Sequence, residues 1–189
     1  MEPRPPRPSG REAVRVIAGS RRGATLVAPR GTGTRPTSDR VREALFSILG
    51  PIDDVRVLDL FAGSGALAIE ALSRGAREAT LVDSSAAAIA AIRRNLDSLG
   101  LTASVRRMRA LEFLERARVG ARQYDLVFLD PPYRQTSSLG PPLSSALGPV
   151  LAPGARVVTE SDRRAPLDLE FALLDERRYG DTLIRIYGS

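Results

Sequence analysis

Apolar positions recur along the chain with two periods, and the alternation between them predicts the architecture. Short continuous apolar runs at 55–60, 79–82, 124–129 and 155–159 each have the length of a buried strand. Helical spacing governs the stretches between them. Val41, Leu45, Ile48 and Leu49 share one helical face, ALAIEALSRG forms a helix closed by Gly75, and Ile89, Ile92, Leu96 and Leu99 stripe a helix that starts at Ser84 and ends at Gly100. A weaker unit follows, with a strand over 103–108 and a helix over 111–117. Leu139, Leu143 and Leu147 mark a Pro-interrupted helix, and FALLDERRYGDTLIRIYG predicts two closing strands with a turn near Gly180 and Asp181. Strands and helices in alternation argue for a mostly parallel sheet covered on both faces.

The beginning of the chain differs. Residues 1–13 combine Pro, Arg and Gly and read as a disordered basic tail. VRVIAG, SRRG and ATLVAP predict a small hairpin around a turn containing Gly23, GTGTRPT is a loop, and Thr37 or Ser38 caps the next helix with Asp39 in its first turn. The expected organisation is a single domain over 14–189, with hairpin and loop at 14–37 and an α/β core at 38–189. At 189 residues one hydrophobic core suffices.

Composition narrows the chemistry. The chain has no Cys and no His, which removes thiolate zinc sites, cysteine nucleophiles and imidazole bases. No apolar run approaches the roughly 18 residues of a membrane span and no signal-peptide core precedes the hairpin, so a cytoplasmic protein without membrane or metal partners is expected. The net charge is +6 and all 28 basic residues are Arg. Residues 1–42 hold 10 Arg against Glu2, Glu12 and Asp39, a balance of +7; residues 43–189 hold 18 Arg against 19 acids. The positive excess belongs to one end, where Arg15, Arg21, Arg22, Arg30, Arg35, Arg40 and Arg42 are natural phosphate contacts.

Two motifs carry the chemistry. VLDLFAGSGALAIEA joins strand, glycine turn and helix, and Gly63, Gly65 and Ala68 fit a G-x-G-x-x-A fingerprint. Asp83, 20 residues beyond Gly63, ends the next strand and can accept both hydroxyls of a ribose. Asp59 decides the cofactor. A carboxylate four residues before Gly63 would repel a pyrophosphate but suits the ammonium and sulfonium of S-adenosylmethionine. This acid-x-x-x-Gly-x-Gly arrangement resembles motif I of the Rossmann-like, class I methyltransferases. The second motif is Asp130-Pro131-Pro132-Tyr133, directly after the apolar run at 124–129. Two prolines stiffen the turn and leave carbonyls free at the sheet edge where ligands bind. A planar amine there meets the Asp130 carboxylate, the Pro131 carbonyl and the Tyr133 ring, and the turn resembles motif IV of enzymes that methylate exocyclic amines or side-chain amides.

The text from Arg15 to Leu49, with Arg-Pro-Thr ahead of a helix beginning DRVRE, then DLFAGSGALAIEALSRGA, DPPY and YGDTLIRIYG, resembles the bacterial 16S rRNA guanine-N2 methyltransferases that act on guanine 966. The resemblance implies a class I methyltransferase fold of seven mostly parallel strands with an N-terminal β-hairpin extension, S-adenosylmethionine as methyl donor, and 16S rRNA within the assembled small subunit as partner. It places Asp59, Phe61, Ala62, Gly63, Ser64 and Gly65 around the methionine end of the donor, Asp83 on its ribose, and Asp130, Pro131, Pro132 and Tyr133 on the target guanine. Arg35, Pro36 and Thr37 lie over cofactor and target in that scheme, with Arg40, Arg21 and Arg22 as RNA contacts. Arg109, Ala110 and Leu111 stand where these enzymes commonly carry Asp or Asn for the adenine amine, so adenine recognition is expected from the backbone. Ser84 touches adenosine or caps the next helix, and the cap is favoured. The competing readings are a DNA adenine-N6 or cytosine-N4 methyltransferase, which usually carries an added recognition region, a protein-amide methyltransferase, and a non-catalytic nucleotide- or RNA-binding module.

Overall fold

A computed structural model describes residues 14–29, 38–132 and 136–189. The expectations for the tail, the 31–37 loop, Arg30, Arg35, Pro36, Thr37 and Tyr133 fall outside the described residues. A seven-stranded sheet forms the centre, built from β3 (Arg56–Asp59), β4 (Glu78–Asp83), β5 (Ser104–Arg107), β6 (Tyr124–Leu129), β7 (Leu151–Asp162), β8 (Ala172–Tyr179) and β9 (Thr182–Gly188). Its order is β5-β4-β3-β6-β7-β9-β8, parallel from β5 to β7 and antiparallel where β9 inserts between β7 and β8. The reversal of strand order lies between β3 and β6, the place where open α/β sheets bind ligands.

Each face of the sheet buries its own helices. Val57, Leu81, Phe128 and Val158 pack with α1 (Asp39–Leu49), α2 (Ala66–Ser73) and α3 (Ala86–Leu99). Leu58, Val82, Val127 and Val157 pack with α4 (Ala110–Val119) and α5 (Thr136–Leu147). Side chains alternate between faces along each strand, so these two sets of neighbours give both helical layers their apolar contacts. Ser38 caps α1 by accepting the Val41 N–H, and Gly50 ends it at a φ of 67°, its N–H donating to the Phe46 carbonyl.

Several elements differ from the sequence expectation. The cap of α3 is Ser85, not Ser84: Ser85 accepts the Ala88 N–H while its own N–H is held by Asp83 at 2.8 Å, which starts the helix one residue later. The strand expected at 155–159 extends to 12 residues as β7, because Leu151 pairs with Tyr124 of β6 at one end and β9 pairs from Arg156 to Asp162 at the other. Thr136–Leu147 is one helix through Pro141 and Pro142 rather than an interrupted one, and the Ser144 hydroxyl donates to the Gly140 carbonyl within it at 2.9 Å.

The hairpin consists of β1 (Val14–Arg15) and β2 (Thr25–Leu26), antiparallel and only two residues each. Such a short ladder cannot stand alone. It is held by α2. The Glu70 carboxylate, with no exposed surface, accepts the N–H groups of Ile17 and Ala18 at 2.7 and 3.0 Å and pairs with Arg74. The Ser73 hydroxyl donates to the Ala18 carbonyl and accepts the Arg21 N–H. Gly19, at φ 80°, lies so close to the Ser73 carbonyl that a Cβ there would come within 1.7 Å of the oxygen. Asn95 of α3 then grips the chain leaving the hairpin, bonding both the N–H and the carbonyl of Val27 and also the Ser64 carbonyl.

Candidate active site

The turn after β3 brings the first motif together. Ala62 donates to the Val82 carbonyl at 3.0 Å and Gly65 to the Ala62 carbonyl at 2.6 Å, folding Phe61 to Gly65 tightly over the sheet edge. Gly63 and Gly65 both have positive φ, 54° and 82°. A Cβ on Gly65 would meet Leu81 Cδ2 at 2.9 Å, so this glycine lets α2 start directly against β4. Above Gly63 the nearest atom to a Cβ would be the Phe61 carbonyl at 4.0 Å, leaving space over the backbone for a ligand.

Asp83 holds this loop from the neighbouring strand. One carboxylate oxygen accepts the Gly63 N–H at 2.9 Å and the other the Ser85 N–H at 2.8 Å. Ser84 is exposed beside it, and its carbonyl accepts from Arg107. Arg109 occupies the N-cap position of α4 without a capping side chain, Ala110 is buried and Leu111 is exposed. Glu112, in the first turn of α4, is paired with Arg116 at 2.7 Å. The Met108 N–H donates to the Asp83 carbonyl, which fixes the start of α4 next to the end of β4.

Asp59, the last residue of β3, is 2% exposed and accepts the N–H groups of Phe61 and Ala68. Burial, reinforced by the negative charge of Asp83, pushes its carboxyl up to about 7. Asp130 follows β6 and is partly exposed, with Pro131 buried and Pro132 exposed beyond it. Burial of the carboxyl group, then Glu160 and then Asp59, drives Asp130 well above the ordinary carboxylate range. Asp83, Asp59, Asp130 and Glu160 therefore cross the carboxyl ends of four adjacent strands, β4, β3, β6 and β7. By strand alternation they belong with Leu81, Val57, Phe128 and Val158, on the face that carries α1 to α3. A row of acids that repel one another fits a ligand carrying positive charge, and the ammonium and sulfonium of S-adenosylmethionine meet that requirement.

The Arg residues divide. Arg22 and Arg40 are exposed. Arg21 spends its Nε on the Leu99 carbonyl at 2.6 Å, tying the hairpin to the end of α3. Arg42 is not a phosphate contact: it has no exposed surface and donates to the Arg15 carbonyl and to Asp39. Glu70, Asn95 and Glu160 carried no signal in the sequence, since Ile17 and Ala18, Val27 and Ser64, and Asp130, the groups that give them their roles, lie 30 or more positions away.

The family described as Conserved hypothetical protein 95 matches residues 14–188. The small-subunit ribosomal RNA methyltransferase D of Haemophilus influenzae is 36% identical over 188 residues, covering 95% of this chain and 96% of its own. A hypothetical protein of Thermus thermophilus has a solved structure that superposes with a TM-score of 0.82 at 31% identity, covering 93% and 99% of the two chains. The 16S rRNA N2 G1207 methyltransferase RsmC of Thermus thermophilus, solved with AdoMet and guanosine, shares the fold at 20% identity and a TM-score of 0.70, covering 94% of this chain and half of its own. Seven strands, helices on both faces and an N-terminal hairpin make this a class I methyltransferase fold.

Proposed function

The chain belongs to the family described as Conserved hypothetical protein 95, and from that premise we propose that it is an S-adenosylmethionine-dependent rRNA methyltransferase acting on the exocyclic N2 amine of a guanine in small-subunit ribosomal RNA. The observation that carries this reading is the placement of the Asp130-Pro131 turn one strand away from Asp59 and the glycine loop. Donor and acceptor sites then share a single sheet edge. Guanine 966 of 16S rRNA, presented on the assembled small subunit, is the target this reading assigns.

The donor supplies an electrophilic methyl on a sulfonium, and the protein's residues do the rest. Asp59 and the loop Phe61–Gly65 receive its charged amino-acid end, and Asp83 accepts from its ribose while holding Gly63. Asp130 and the Pro131 carbonyl accept the two hydrogens of the target amine. Its lone pair is delocalised into the base, so alignment with the methyl supplies much of the rate. Asp130 is placed where positive charge would grow on the amine nitrogen during methyl transfer, and its carboxyl group would stabilise that charge and receive the departing proton. No imidazole is required. A guanine stacked in a helix cannot reach this edge, so the base must be unpaired or turned out. Arg22 and Arg40 face the RNA backbone, and Arg35, Pro36, Thr37 and Tyr133 complete the target pocket in this reading, with residues 14–189 acting as one domain.

Transfer of labelled methyl to assembled small subunits, naked 16S rRNA and duplex DNA, followed by identification of the labelled nucleoside, tests the proposal. N2-methylguanosine from the small-subunit RNA is the expected product, and labelling of DNA alone would overturn it. Asp130→Ala should lose transfer while retaining calorimetric binding of the donor. Wild-type turnover in that variant would remove Asp130 from the site.

A further inference from the structure

Glu160 has no part in the chemistry described so far, yet it occupies the end of the acidic row. Leu129 of β6 pairs with Thr159 of β7, so Asp130 and Glu160 are neighbours in the next row, on strands about 4.8 Å apart. The position is one where the fold asks for an apolar side chain: Val158 on the same face of β7, and Ile184 opposite Glu160 on β9, are both core residues. Glu160 instead keeps a carboxyl group there at 6% exposure, a placement that costs stability unless the charge is balanced. Arg42 contributes to that balance. Fully buried on α1, it attracts Glu160 as well as Asp39 and Glu70, and its Nε and Nη1 meet no hydrogen-bond partner among the described residues. The negative charge of Glu160, like that of Asp59 on the other neighbouring strand, raises the Asp130 carboxyl group. A buried acid, sustained by a buried cation, thus stands beside the Asp-Pro turn.

We propose that Glu160 reads the target base as guanine, accepting its ring N1–H while Asp130 and the Pro131 carbonyl accept from the adjoining amine. The inference rests on the guanine-N2 reading above and names what makes that site select guanine. All three amino-bearing bases could offer an amine to Asp130. Only guanine places a ring N–H beside it; the ring nitrogen next to the amine of adenine or cytosine carries a lone pair, which a carboxylate repels. Glutamate, one methylene longer than aspartate, reaches from the neighbouring strand toward the same base edge that Asp130 meets.

The test uses full-length enzyme and three small subunits assembled on 16S rRNAs that differ only at the target nucleotide. Guanine is the reference. 2-Aminopurine keeps the amine but has a bare N1 and no O6, and 6-thioguanine keeps N1–H while replacing O6. The wild-type enzyme should prefer guanine to 2-aminopurine in kcat/KM by about tenfold or more, the loss expected for one hydrogen bond to a charged group, and should use 6-thioguanine like guanine. In Glu160→Gln, whose amide can donate to a bare N1, the preference should shrink by about tenfold or more, with Tm and donor binding serving as controls for folding. A wild-type enzyme that uses 2-aminopurine as well as guanine, or rejects 6-thioguanine as it rejects 2-aminopurine, overturns the proposal even if the variant does not fold. An unchanged preference in folded Glu160→Gln does the same. Those outcomes leave guanine methylation standing, whereas no transfer to the guanine RNA by the wild-type enzyme would remove both readings.

Discussion

Donor affinity in this enzyme should be linked to the release of a proton from Asp59. Burial and the charge of Asp83 place its carboxyl at about 7, so in the free enzyme it is about nine-tenths protonated at pH 6 and about half protonated at pH 7. A ligand with an ammonium and a sulfonium favours the ionised form, and binding lowers the value. The sign follows: affinity rises with pH between 6 and 7. If only the ionised form binds, Kd improves about fivefold from pH 6 to 7, about 1 kcal/mol. Between pH 6 and 7 the donor's own ammonium stays mostly charged, its ordinary value being about 7.7–8.0, and above that range its deprotonation opposes any further gain. Calorimetry at pH 6.5 in buffers of different ionisation enthalpy should detect about 0.75 proton released per donor bound. Asp59→Asn should abolish both the pH slope and the released proton, and weaken binding at pH 7 by about tenfold. Affinity that is flat between pH 6 and 7 in the wild type, or proton release that survives in the variant, would refute the assignment.

The same carboxyl opposes folding of the free protein. Its value is raised from 3.8 to about 7, so stability present below the ordinary range is lost as pH rises through 7, by up to about 4 kcal/mol. Asp59→Asn should therefore raise Tm at pH 7.5 and leave it nearly unchanged at pH 4, as read by scanning calorimetry. Gly19→Ala drives a Cβ into the Ser73 carbonyl at a positive φ, and a loss of about 3 kcal/mol or more in denaturant unfolding is expected. Glu70→Gln keeps the shape but withdraws one acceptor oxygen and the charge opposite Arg74, at a cost of about 2–3 kcal/mol in the same measurement.

The parts legible in the sequence are those whose cause is local. The runs at 79–82 and 124–129 are buried strands because an uninterrupted apolar segment has no other stable place, and the structure puts β4 and β6 there within a residue or two. Gly63, Gly65 and the Asp-Pro-Pro turn announce themselves because backbone geometry demands those residue types. What could not be read is decided by distant partners. Arg42 resembles its neighbours on a basic segment until the hairpin covers it. Ser84 and Ser85 are equivalent caps on paper, and the Asp83 carboxylate chooses between them by binding the Ser85 N–H. The extent of β7 depends on β9, which arrives 20 residues later in the chain. Glu70, Asn95 and Glu160 look like ordinary helix and strand polar residues, and their long-range roles appear only once the hairpin, the glycine loop and the neighbouring strand pack against them.

Asn95 joins three segments that a textual reading keeps apart. Its amide holds Val27 by both backbone groups and the Ser64 carbonyl by the same nitrogen, while α2 fastens the preceding turn through Glu70 and Ser73. Cutting the chain after Val27 would not release a self-sufficient donor-binding core. It would take the Ile17 and Ala18 N–H groups from buried Glu70 and both Val27 groups from buried Asn95, and so loosen the support of the glycine loop. The basic arm is thus a splint for the glycine loop, and truncations that remove it should weaken donor binding as well.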